Sequence, residues 1–240
     1  MSKSIIKHLL IMLVPLSFIS CGELQQVINQ LPQNTGLGES EIAAGLQQAL
    51  NQGIDKQVSK LAETNGFYNN ELVKILLPEE LKKVDGTLRD IGLGSLADKG
   101  LKLLNSAAES AVKEATPIFI DAVKSMTISD AKAILLGSND AATDYLKKQT
   151  STSLYNKFEP IIESSFDKVG ANQIWSNIIN RYNAIPLTND VNPDLTDYVT
   201  AEALKGVFKM IAVEELEIRS KYSSRTTDLL KRVFALQDRK

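Results

Sequence analysis

The sequence predicts an all-α, single-domain multi-helix bundle that combines short helices with two long amphipathic ones and has no substantial β-sheet. Three observations point there: apolar residues recur at steps of three and four through most of the chain, capping residues and glycine or proline stops divide that pattern, and no strand pair, glycine-rich repeat or heptad series appears. With 43% hydrophobic and 23% charged residues among 240, the chain has ordinary globular composition and enough length to bury a core.

The N-terminus reads differently from the rest. Lys3 and Lys7 precede an apolar stretch, Leu9 to Ile19, broken only by Pro15 and Ser17, and the small Ser20 stands just before Cys21. Charged, apolar and small residues in that order are the layout of an export signal. The apolar stretch falls well short of the roughly 20 residues that span a bilayer as a helix. Its ending, Phe18-Ile19-Ser20-Cys21-Gly22, resembles a bacterial lipobox, in which the cysteine thiol receives a diacylglyceryl group before cleavage. Residues 1–20 are therefore expected to be a lipoprotein signal peptide and Cys21 the lipidation site. Residues 21–38, with Pro32, Gly36 and Gly38 in a polar run, are expected to be a flexible tether, and 39–240 the helical domain. At about 0.8 kcal/mol per buried CH₂, the acyl chains of a lipoprotein cysteine anchor a protein stably. Cys21 is the only cysteine, so no internal disulfide can form and the fold must rest on packing.

From Glu39 the spacing of Ile42, Leu46, Ala49, Leu50, Ile54, Val58 and Leu61 predicts a long amphipathic helix, with Asn65-Gly66 as its stop. Leu72 to Leu77 is apolar and closed by Pro78, which favours an extended segment because the residue before proline avoids the α region. Pro78 then opens a helix, PEELKKVDGTLRDIG, with acids in its first turn, stopped by Gly92 and Gly94. Ser95 to Lys113 is the next helix, and Pro117 either kinks it or begins a successor at Thr116. Thr127 to Asp130 reads as a cap for AKAILL, closed by Gly137. Asn139 or Asp140 is expected to cap AATDYLKKQ, followed by separate helices over 151–169 and 171–182. After an irregular stretch, 184–193, Asp194 caps a long helix through Ile218, and Ser223 or Ser224 caps a last one ending at Leu236.

The chemistry available to the domain is narrow. His8, the only histidine, lies in the expected signal, so a mature chain would lack both imidazole and free thiol. Ser-His-Asp triads, Cys-His pairs and His/Cys zinc sites are thereby excluded. Formal charge is -2, and removing Lys3 and Lys7 leaves 25 basic against 29 acidic residues, or -4, which disfavours nucleic acid as a partner. No dinucleotide fingerprint, P-loop or calcium loop occurs, and no cofactor is expected. Asp140 and Asp144 would share a helix face as metal-binding carboxylates can, but a capping role and solvent exposure account for them, and no metal site is assigned. Trp175, Tyr155, Phe158, Phe166 and Tyr182 fall at helical spacing suited to core packing, with ligand stacking as the other reading.

Glu214, Glu215, Arg219 and Arg225 form the densest charged group beside an apolar helix. Glu215 and Arg219, four apart, read first as a solvated surface pair. The alternative is that Arg219 and Arg225, whose forks suit carboxylate or phosphate, line a cleft with the acids and bind an anion.

The stretches LLNSAAESAVKEATPIF, MTISDAKAILLGSNDAATDYL, FEPII with VGA, DYVTAEALKGVFKMIAVEE and RTTDLLKRVF together resemble a bacterial lipoprotein family known as domain of unknown function 4197, from about Gly45 to Phe234. That family usually shows Arg within the first stretch, where this chain has Ser106. The resemblance implies an exported, predominantly helical domain, and no activity, cofactor or catalytic residue. The expectation is a non-catalytic envelope lipoprotein, held through the lipid on Cys21 to a membrane on a periplasmic or surface face, that binds an envelope protein, glycan or small ligand. A carboxylate-based enzyme acting on envelope glycan or polysaccharide is the alternative; an adhesin or structural filler is a third reading, and would show an exposed apolar patch without a cleft.

Overall fold

The computed structural model describes residues 37–77, 94–184 and 194–238 without interruption, together with isolated positions between these ranges. The expected signal, Cys21 and the tether up to Gly36 lie outside the described residues, as does most of the helix expected from Pro78. Leu37 to Lys240 forms one compact unit. Its described residues hold eight α-helices and no strand: α1 Glu39–Ala62, α2 Gly94–Val112, α3 Ala115–Lys124, α4 Ile128–Leu135, α5 Ala141–Asp167, α6 Ala171–Asn183, α7 Leu195–Ser220 and α8 Asp228–Phe234. The all-α bundle expected from periodicity is what forms.

Helix α7 is the hub, packing against α5 on one side and α1 on another, with α2 and α6 also against it. Helix α1 in turn carries α3, α4 and α8. The expected apolar stripe of α1 is its buried face, from Ile42 through Leu46, Leu50, Ile54 and Val58 to Leu61. Asn65, at φ 63°, and Gly66 reverse the chain after it. A Cβ at Gly66 would lie 2.4 Å from the Lys60 carbonyl oxygen and 2.6 Å from that of Leu61, so only glycine fits that turn. Beyond it Phe67 is fully buried against α7, where Gly206 leaves room for its ring.

Pro117 begins a helix rather than kinking one, because α3 starts at Ala115 after a break at Lys113 and Glu114. Thr127 and Asp130 cap each other's backbone at the start of α4, as expected: the Thr127 hydroxyl accepts from the Asp130 N–H at 3.1 Å and an Asp130 oxygen accepts from the Thr127 N–H at 3.0 Å.

Two expectations are corrected. Residues 141–167 form one helix of 27 residues, not two. The polar Thr150-Ser-Thr-Ser run reads as a connection, but Thr150 and Ser151 donate their hydroxyls back to the Leu146 and Lys147 carbonyls at 2.7 and 2.6 Å, which keeps them inside the helix. Pro160 is tolerated because it faces solvent while Leu154, Phe158, Ile162 and Phe166 hold the buried face continuous across it. The bundle thus has three long helices. The last helix is capped by Thr227, whose hydroxyl accepts from the Leu230 N–H at 3.2 Å, while Ser223 and Ser224 lie in a 3₁₀ turn before it.

Leu72 and Val73 lie in a turn and 74–77 carry no regular secondary structure, with Val73 and Ile75 buried and Leu72 and Leu76 exposed. Among the described residues no strand pairs with this segment. Instead the buried Asn105 amide on α2 accepts from the Ile75 N–H at 2.8 Å and donates to the Ile75 carbonyl at 2.9 Å, supplying both bonds a neighbouring strand would make.

Gly206→Ala tests the close approach of Phe67 to α7. Alanine is worth about 1 kcal/mol over glycine in a helix interior. Its Cβ, however, would stand 2.7 Å from a ring carbon of the fully buried Phe67. Overpacking costs of about 1–3 kcal/mol should win, so urea denaturation should show a net loss of stability. A variant more stable than the wild type would mean that the ring moves freely.

Candidate functional site

The four charged residues singled out by sequence are all buried: Glu214 and Glu215 are 8% exposed, Arg219 and Arg225 3%. The solvated surface pair expected for Glu215 and Arg219 is therefore wrong, and the reason lies in what surrounds them. Helix α4 ends and α5 begins beside this stretch of α7. Glu215 reaches the α5 N-terminus, accepting from the Ala142 and Thr143 N–H groups at 2.9 and 2.8 Å and from the Thr143 hydroxyl at 2.8 Å. Asp140, expected to cap that helix, makes no side-chain cap bond.

Arg219 faces the other helix end. Its Nη2 donates to the Ile134 carbonyl at 2.8 Å and to Glu215 at 2.8 Å, Nη1 to the Leu135 carbonyl at 3.1 Å and to Gln237 at 2.8 Å, and Nε to Glu215 at 2.9 Å. Those bonds use all five N–H donors of a guanidinium. A carboxylate thus meets the positive end of α5 and a guanidinium the negative end of α4, the polarity helix dipoles favour. Arg219 has no donor left for an external anion. The cavity beside it, walled by Leu46, Leu50, Ile54, Ile211 and Phe234, holds about 20 Å³, too little for an organic ligand.

Glu214 ties α7 to α1 instead, accepting from the Gln57 amide at 2.6 Å and from Lys56 at 2.8 Å. Arg225, two residues beyond the expected cap serines at most, donates to the Ile218 and Arg219 carbonyls at 3.1 and 2.9 Å and to the Asp238 carboxylate.

An open cleft of about 440 Å³ lies elsewhere, between the second half of α5, α6 and the start of α7. Glu159 and Glu163 line it from α5, Asn172, Ser176 and Asn180 from α6, and Asp194, Leu195 and Thr196 from the entry to α7. Asp194 caps α7, accepting from the Asp197 N–H at 3.0 Å. The buried Thr196 hydroxyl donates to the Asn172 side-chain oxygen at 3.2 Å, fixing one wall to the other. Beside the cleft the Tyr155 hydroxyl donates to Asp197 at 2.6 Å, and that bond, with burial and the neighbouring carboxylates, pushes the phenol pKa well up. Carboxylates four apart on α5 facing amide and hydroxyl groups on α6 suit a hydrated, hydroxyl-rich ligand.

Phe158, Phe166 and Trp175 pack in the core. Phe158 and Phe166 are fully buried, and Trp175 is buried on Tyr198, centroids 5.8 Å apart, with its indole N–H on the Asn192 carbonyl. The Tyr182 side chain is outside the described residues. Asp140 and Asp144 are both exposed. Among the described residues no group of three or more His, Cys, Asp or Glu side chains is placed to hold a metal ion, and no helix is long and apolar enough to cross a membrane. Sequence reasoning did not single out Glu109, whose carboxylate accepts from the Asn65 and Phe67 N–H groups at 3.1 and 3.2 Å. Its only signal was an acid on the apolar side of α2. Ser106, where the resemblance expects Arg, is exposed on α2.

Truncating Glu215 to alanine should be among the costliest single changes, about 3–5 kcal/mol, because it strands a buried guanidinium and leaves two helix-end donors bare. Replacing Glu215 and Arg219 together by leucine and methionine should also destabilise, because it removes the stranded charge but leaves the Ala142 and Thr143 N–H groups and the Ile134 and Leu135 carbonyls bare. Equilibrium unfolding of both variants decides this, and a near-neutral Glu215→Ala would show that the pair is dispensable.

A family model described as protein of unknown function (DUF4197) matches residues 36–235 of this chain. No curated protein and no solved structure matches it.

Proposed function

This chain belongs to the DUF4197 family, and from that premise we propose that it is a non-catalytic envelope lipoprotein, anchored through an acylated Cys21, whose helical domain binds a hydroxyl-rich ligand such as a glycan. The observation that carries the anchor is the order of Lys3, Lys7, the Leu9 to Ile19 stretch and a lone Cys21 ahead of a compact unit beginning at Leu37. The polar cleft beside α6 supports the binding role. Its volume falls in the range of small-ligand sites, about 300–1,000 Å³, and its lining offers both acceptors and donors for hydroxyl groups.

The cleft argues for binding over catalysis. A glycosidase acid needs an apolar wall to keep its carboxyl protonated near neutral pH. Among the residues lining this cleft only Leu195 offers one, while Glu163 is exposed and Glu159 only half-buried.

Cells fed a clickable fatty acid should label the wild type and leave Cys21→Ser unlabelled and released from membranes; equal labelling of both would refute the anchor. For the cleft, Glu163→Gln and Asn180→Ala should change stability by no more than about 0.5 kcal/mol, as surface substitutions do. On an array of envelope oligosaccharides they should lose roughly tenfold in affinity, a loss of about 1.4 kcal/mol. Retention of every glycan by both variants would remove the cleft from the binding role.

A further inference from the structure

The Arg225 side chain is 2% exposed, yet that of Asp238, whose carboxylate neutralises it, is 46% exposed. Asp238 grips it with both oxygens, Oδ2 on Nη1 and Oδ1 on Nη2 at 2.9 Å, the two-point geometry by which arginine takes up a carboxylate or phosphate. The remaining bonds of that guanidinium, to the Ile218 and Arg219 carbonyls, come from the C-terminal turn of α7, and its flat face lies 5.6 Å from the Phe234 ring centre. The arginine is therefore held in place by groups other than its anion. Asp238 itself rides on a short turn after α8, bonded through its N–H to the Phe234 carbonyl at 3.3 Å, and Gln237 beside it supplies one bond to Arg219.

We propose that Arg225 forms an oxyanion-binding site whose resident ligand is the chain's own Asp238 carboxylate, and that a carboxylate or phosphate from outside replaces it when the turn after α8 lifts. A buried guanidinium stripped of its partner is strongly unfavourable, so an incoming oxyanion gains the full interaction that Asp238 gives up. The Arg225 bond also holds the Asp238 carboxyl below the usual carboxylate range, as expected for an anion seated in such a site. Neither the lipid anchor nor the glycan cleft is needed for this reading.

Chemical rescue of the detergent-solubilised full-length protein tests it. Asp238→Ala should lower Tm by about 3 °C or more. Adding 100 mM acetate or inorganic phosphate should restore roughly half of that loss, whereas sodium chloride at matched ionic strength should not, since only a ligand that binds the folded state stabilises it. Rescue by acetate alone assigns a carboxylate ligand, and rescue by phosphate alone assigns a phosphate. Arg225→Gln/Asp238→Ala should show no rescue by either anion, with far-UV circular dichroism confirming that both variants are helical at the starting temperature. Failure of both anions on Asp238→Ala, or equal rescue in the double variant, would overturn the proposal.

Discussion

The bundle depends on how helix ends buried within it find partners. Each α-helix leaves four N–H groups and four carbonyls without intrahelical bonds, and α4 and α5 bring one set of each to the same short connection. Glu215 and Arg219, one turn apart on α7, answer both sets and bond to each other between them. An isolated buried ion pair is a poor source of stability, because desolvating two charges offsets their attraction. Here each member also satisfies main-chain groups that would otherwise be bare, so the pair is worth more for geometry than for charge. It sets the rotation of α7 against the α4–α5 junction, and with it the positions of Arg225 beyond one end and Asp194 at the other.

The same device recurs at smaller scale. Glu109 covers the two N–H groups on either side of Gly66 in the turn after α1, and Asn105 stands in for a missing strand along Ile75. In both cases a side chain from α2 binds an irregular segment that has no regular partner. Glu109, Asn105, Glu215 and Arg219 thus sit where main chain departs from helix, and removing any one of them exposes more than a single bond.

That pattern also explains what could be read in advance. Helices α1, α4 and α7 follow from apolar spacing and local caps, both of which act within a few residues of one another. The errors arise where the deciding partner is remote. Nothing in NDAATDYL shows that its cap comes from Glu215, 73 residues from Ala142, so Asp140 was the natural candidate. The i, i+4 spacing of Glu215 and Arg219 is the same on a wet helix face and a buried one, and only the carbonyls of Ile134 and Leu135 distinguish the two. The continuity of α5 was hidden because hydroxyl groups that bond back to their own helix have the composition of a linker. The cleft was invisible for a related reason: its lining comes from three helices and carries no local motif.

A chain without imidazole or thiol in its domain must do its work through shape, carboxylates, amides and guanidinium groups. The buried ones are spent inside the fold. Glu109, Glu214, Glu215 and Arg219 each have their bonds directed at neighbouring helices or turns, so they cannot serve a ligand without loosening the bundle. The two sites proposed for recognition, the polar cleft by α6 and Arg225 behind Asp238, differ in kind. The cleft stands open and can take a ligand without rearrangement, whereas Arg225 becomes accessible only as the turn after α8 lifts. Under the proposed anchoring, fifteen residues lie between Cys21 and Leu37, a reach of at most about 55 Å when fully extended. The anchor would then limit the distance of both sites from the membrane without dictating which of them faces it.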